Sequence, residues 1–157
     1  EHAYRYAFTK SGNPKAIVLT RQNLEYLEFE NSYQDFITGA SIVSEGTEIT
    51  IFASGSELEL AFAIKEALKE NSIRIVSTPI LNKLENMSSE TLNDLKVSDL
   101  NFTIELGRSV GWATYLGPIT RSFSIDEFGT SAPIKSLQEE YKFTVENISS
   151  EIKKFLN

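Results

Sequence analysis

The chain has 157 residues, 41% hydrophobic and 24% charged, which suits one globular domain with a substantial core, or one domain plus an appendage. A formal charge of −7 argues against a general nucleic-acid binder or a binder of anionic membranes. With no cysteine, disulfides, thiolate chemistry and cysteine-ligated metals are excluded, and no apolar run approaches the roughly 18–20 residues that span a bilayer.

Glu1 to Thr9 reads as a helix already under way, with Ala3, Tyr6 and Ala7 on one side. It carries neither an initiator methionine nor a signal-peptide pattern, so the expectation is a piece of a longer polypeptide. Ser11-Gly12-Asn13-Pro14 breaks the helix. The continuous apolar run Ala16-Ile17-Val18-Leu19 within Lys15 to Thr20 predicts a buried strand. Thr20-Arg21-Gln22-Asn23 then sets a polar cluster at its carboxyl end, where ligands bind in open α/β sheets. Glu25 to Asp35 has no clean period and reads as a linker. Ile37 to Ser44 predicts a short strand.

The strongest local signal lies at Glu48 to Asn71. Ile49 to Ala53 suits a strand buried on both faces. Ser54-Gly55-Ser56 is a tight turn, and Ser56 with Glu59 has the spacing of a capping box. Leu60, Ala61, Ile64, Ala67 and Leu68 then fall on one helical face, Glu57, Lys65, Glu66, Lys69 and Glu70 mostly point elsewhere, and Asn71 is the expected C-cap. Ile73 to Ser77 resumes strand character, which completes a right-handed βαβ unit. A single glycine in the turn falls short of a phosphate-binding fingerprint, so the turn is read as a plain helix start.

Beyond Thr78-Pro79 the pattern predicts a helix begun by Ser88 or Ser89, a strand from Asn101 to Leu106, and a loop or broken helix from Gly107 to Gly117. A last strand runs from Arg121 to Ile125. Pro133 sits in the first turn of a helix with Ile134, Leu137 and Tyr141 inward. Thr144 opens a terminal helix facing the core through Val145, Ile148, Ile152 and Phe155. About five strands and four helices after the linker predict a three-layer α/β/α domain.

Local chemistry is sparse. His2, the single histidine, reads as a surface residue, which disfavours a Ser-His-Asp triad or a histidine metal site. Asp126 and Glu127 sit in a turn, where carboxylates serve local hydrogen bonds. Trp112, Tyr115 and Phe128 could form a ligand platform, although aromatics at this density usually belong to core or interface. Arg21 stands out, since a guanidinium beside two amide side chains suits bidentate phosphate recognition. A structural ion pair is an equal reading on these grounds.

Six motifs in order resemble transketolase. They are Leu19-Thr20-Arg21-Gln22-Asn23-Leu24, Ala53-Ser54-Gly55-Ser56-Glu57, Arg74-Ile75-Val76-Ser77-Thr78-Pro79, the segment Glu105 through Gly117, Ile125 through Pro133, and Phe143-Thr144-Val145-Glu146-Asn147. The sequence departs from the family at Glu25, where proline is common, at Leu106 in place of alanine, and at Glu127 in place of arginine.

The resemblance implies that residues 1–24 finish a pyrimidine-binding domain, 25–36 form a linker, and 37–157 form a C-terminal domain with a five-stranded, mostly parallel sheet containing one antiparallel strand. It implies a cytoplasmic homodimer of the pentose phosphate pathway that uses thiamine diphosphate and a divalent cation, magnesium or calcium. Such an enzyme passes a two-carbon glycolaldehyde unit from a ketose phosphate to an aldose phosphate, with the cofactor carrying the difficult chemistry. Arg21 matches the arginine that contacts the substrate phosphate. The catalytic, cofactor and metal residues are expected outside this chain, which would be inactive alone and support the dimer. The alternatives are the C-terminal domain of deoxyxylulose-phosphate synthase or of a 2-oxoacid dehydrogenase β-type subunit, both disfavoured by Arg21-Gln22-Asn23, and a stand-alone interaction or effector-binding module.

Overall fold

The computed structural model describes residues 1–9, 12–29 and 32–156. Five strands form one sheet: β1 (Ser41–Ser44), β2 (Ile49–Ala53), β3 (Ile73–Ser77), β4 (Asn101–Ile104) and β5 (Arg121–Phe123). Their spatial order is β1-β3-β2-β4-β5, with β1 antiparallel to β3 and every other pair parallel. The expected mixed, mostly parallel sheet with one antiparallel strand is therefore present.

Two apolar cores flank the sheet because successive strand residues point to opposite faces. Ile49, Ile51 and Ala53 of β2, Ile73 and Ile75 of β3, and Phe102 and Ile104 of β4 share one core. α3 (Glu57–Ala67) and α7 (Val145–Lys153) cover it through Leu58, Ala61, Ile64, Ile148 and Ile152. Phe52 and Val76 point the other way and meet Leu84 of the 3-10 helix Leu81–Asn86, Leu95 beyond α4 (Ser89–Asp94), and Trp112 and Leu116 of α5 (Val110–Leu116). All five residues of β2 are buried, as a central strand covered on both faces requires. Each fully buried Ile, Leu or Phe contributes about 1.5–3 kcal/mol.

The βαβ unit forms as the sequence predicts, in parallel register from Ile49 opposite Ile73 to Ala53 opposite Ser77. Its caps differ from expectation. Ser56 is already helical (φ −64°, ψ −27°) and makes no side-chain cap bond; its hydroxyl donates to Glu57 Oε1 instead. The helix ends at Ala67 with Leu68 as C-cap, and Asn71 donates its amide to Glu48 Oε2. Thr144 and Ser88 do cap their helices, accepting from Asn147 N and Thr91 N. Phe155 lies past the end of α7, partly exposed, and meets the ring of Phe102 edge-on.

The largest departures lie before the sheet. α1 (His2–Thr9) is present, and Ser11 of the expected break lies outside the described residues. Residues 15–20 form no strand. Val18 is 91% exposed and Leu19 is exposed as well. An apolar run becomes a strand by pairing with a neighbour, and this sheet's edges, β1 and β5, do not receive it. Within the expected linker and the start of the expected Ile37–Ser44 strand the chain makes α2 (Tyr33–Thr38). Ser32 accepts from Asp35 N while Asp35 accepts from the Ser32 amide, a complete capping box. The strand proper begins at Ser41.

Candidate functional site

From β2 the chain crosses to β3 on one side and returns to β4 on the other, so the strand order reverses between the carboxyl ends of β2 and β4, the place where open α/β sheets hold ligands. Two pairings fix what stands there. Ala53 lies opposite both Ser77 and Ile104, so the next residues, Thr78, Ser54 and Glu105, form a row across three strand ends. The Thr78 amide extends the ladder by donating to Ala53 O at 2.9 Å. Ser54 Oγ donates to Glu105 Oε2 at 2.9 Å, which ties β2 to β4. Gly55 makes the turn in the left-handed region, at φ +52°, where a side chain would add strain.

α3 starts directly beyond the turn, and its first residue, Glu57, is 6% exposed. It therefore does not point into solvent as its helical position suggests. Burial pushes the Glu57 carboxyl above its usual range, the Ser56 hydroxyl partly offsets this, and the charge of Glu105 pushes it further up. Burial also raises Glu105, against the hydrogen bond from Ser54. The cause is desolvation of the charged form in each case. A helix N-terminus attracts anions, but this one is occupied by two carboxyls of its own. Two carboxyls that burial makes harder to ionise stand at this turn, which makes it a poor phosphate cradle. Composition around Glu57 did not disclose this; Ser-Gly-Ser-Glu and the distant Glu105 meet through the sheet register.

The neighbouring loops are pinned by Asp126. Its Oδ1 accepts from Ser109 N at 2.9 Å and from Ser109 Oγ at 3.1 Å, and its Oδ2 accepts from Ser124 Oγ at 2.8 Å. These bonds, led by the Ser109 amide, hold its carboxyl below the usual range. Asp126 thus serves the local hydrogen bonding expected of it, while Glu127 is exposed.

The aromatic platform does not form. Trp112 is buried in the second core with Tyr115 packed beside it, whereas Phe128 is fully exposed elsewhere. His2 packs its ring 5.8 Å from Tyr33 and 6.0 Å from Phe36. Arg21 is exposed in a bend beyond the unpaired apolar run.

With this geometry established, the comparisons with known proteins are specific. The model of the transketolase-like TK C-terminal domain matches residues 39–144. A transketolase of Halalkalibacterium halodurans is 36% identical over 98% of this chain and 24% of its own length. The solved transketolase of Leishmania mexicana superposes with a TM-score of 0.86 at 25% identity, covering 98% of this chain and 23% of that one. A Pichia stipitis transketolase solved in complex with sedoheptulose 7-phosphate superposes at 0.85, also at 25% identity and over 98% of this chain and 23% of that one. The chain spans about a quarter of the length of the relatives it matches. It belongs to the transketolase family and contains the family's C-terminal domain.

Proposed function

We propose that the whole protein transfers a two-carbon glycolaldehyde unit from a ketose phosphate to an aldose phosphate, as a cytoplasmic homodimer of the pentose phosphate pathway, and that this chain is its C-terminal portion. The observation that carries the reading is similarity to transketolases along 98% of the chain, well beyond the residues 39–144 that match the C-terminal domain. On this reading residues 1–24 finish a pyrimidine-binding domain, 25–36 link it, and 37–157 form the C-terminal domain. The exposed run around Val18 and Leu19 supports this division, because such a run is stabilised by the sheet of the domain it belongs to.

The family implies thiamine diphosphate and a divalent cation. The described residues do not fit that group. The buried Glu57 and Glu105 carboxyls at the switch-point turn offer a diphosphate no cationic partner, and among the described residues no group of three or more His, Asp or Glu side chains could hold a metal. The chain's role is therefore structural and dimer-supporting. Arg21 is the exception, presenting a guanidinium for the sugar phosphate.

The test is an assay of the full-length parent with thiamine diphosphate, magnesium, xylulose 5-phosphate and ribose 5-phosphate. Transfer between the two sugars is expected, and its absence at saturating cofactor overturns the reading.

A further inference from the structure

The apolar run that leads to Arg21, residues 16–19, joins no strand, and its Val18 and Leu19 stand exposed. Among the described residues the Arg21 guanidinium has no ion pair or hydrogen bond. With nothing fixed at its charged end, the direction of the side chain is set where it leaves the backbone.

One bond acts there. The Gln22 amide donates to Thr20 Oγ1 at 3.2 Å, and residues 21 and 22 form a bend. A threonine hydroxyl that accepts from the amide two residues on closes a turn much as an Asx side chain does. The closed ring runs from Thr20 Cβ through the Cα of Arg21 to the Gln22 nitrogen, so it contains the φ and ψ of Arg21 itself. Threonine suits this position because its β-branch restricts χ1 and leaves the hydroxyl few directions. Thr20 is exposed and belongs to neither core, so the bond adds little to the fold. Its effect is order ahead of binding. An arginine loses rotamer freedom when its guanidinium grips a phosphate, and a backbone already set at that residue spares a further loss. We propose that Thr20 is a positioning residue for the sugar phosphate: its hydroxyl holds the turn at Arg21 and so aims the guanidinium, on the reading above that Arg21 binds that phosphate.

Steady-state kinetics of the full-length parent tests this, with xylulose 5-phosphate or unphosphorylated xylulose as donor and ribose 5-phosphate as acceptor. Thr20→Val keeps the branched shape and removes the acceptor. It should raise KM for xylulose 5-phosphate about 3- to 10-fold, the range for one net hydrogen bond, and leave kcat and the KM for xylulose unchanged. Thr20→Ser keeps the acceptor and should restore KM to within about 2-fold of the parent. In an Arg21→Ala background Thr20→Val should have no further effect, because the hydroxyl acts only through that arginine. An unchanged KM in Thr20→Val, an equal rise for xylulose, no recovery in Thr20→Ser, or an effect that survives Arg21→Ala each overturns the proposal. An Arg21→Ala enzyme that treats both ketoses alike refutes the phosphate-binding role of Arg21 and that of Thr20 with it; a selective Arg21→Ala beside a silent Thr20→Val refutes the role of Thr20 alone.

Discussion

Lys65 Nζ donates to Ser44 Oγ at 2.7 Å, joining the last turn of α3 to the last residue of the antiparallel edge strand 21 residues earlier. Its other two protons go to Glu45 O and Ile73 O, both at 2.6 Å. One ammonium thus satisfies two carbonyls and a hydroxyl from two segments, residues 44–45 and Ile73. Replacing it with methionine keeps the apolar stem and orphans three acceptors. Lys65→Met should cost about 1–3 kcal/mol, read as a lower urea midpoint with an unchanged slope. A midpoint equal to that of the parent chain would show that solvent satisfies the carbonyls equally well.

Glu57 and Glu105 set a pH dependence with a definite sign. Both folded-state values lie above the ordinary 4.5, so the folded chain binds protons more tightly than the unfolded chain. The resulting stability is fully present below about 4.5 and is lost as pH rises through the folded-state values. Glu57→Gln and Glu105→Gln keep an acceptor for the serine hydroxyls and remove the charge. Each should raise stability at pH 8, by on the order of 1 kcal/mol, and leave it unchanged near pH 4. Urea titrations at the two pH values measure the difference; a gain that is equal at both would place the effect in packing.

Gly46 lies against the backbone of the strand opposite it. A Cβ at this position would overlap Ile73 C, Ile73 O and Arg74 N, none of which can rotate away. Gly46→Ala should therefore cost about 3 kcal/mol or more. Thermal unfolding would register this as a fall in Tm of roughly 6 °C or more at this chain length. A smaller fall would mean that the turn between β1 and β2 can shift as a unit.

Arg21 is a functional residue on the proposed reading and makes no contribution to the sheet. In the full-length enzyme, Arg21→Ala should raise KM for phosphorylated ketoses about 10- to 150-fold, the equivalent of losing a charged hydrogen bond worth about 1.5–3 kcal/mol. Unphosphorylated ketoses should be nearly unaffected. An equal rise for both substrate classes would make the arginine structural.

Local pattern disclosed most of the sheet and little of the site. Ile49 to Ala53 and Ala16 to Leu19 look alike as strings, yet the first is buried between two strands and the second is not paired at all. What separates them is the presence of a neighbour, which no window of sequence contains. Ser56 and Ser32 are a second contrast. Both precede an acidic residue by three positions, but Ser32 has extended backbone and caps its helix, whereas Ser56 is helical and bonds Glu57. The Glu57–Glu105 pair was invisible for a related reason, since 48 positions of chain separate residues that the register of β2 and β4 brings together. Trp112 went to the core because α5 turns it toward Phe52 and Val76.

The division of the sheet into two cores has an evolutionary consequence. Ile51 and Phe52 are adjacent in the chain but belong to opposite cores, with the sheet backbone between them. Changes of volume on one side have no shared cavity through which to strain the other, so their costs should add and compensating changes should stay on the side that needs them. Relatives can then drift in the α4–α5 layer while the α3–α7 layer stays fixed, or the reverse, with the five-residue strand β2 as the partition that lets each half change at its own pace.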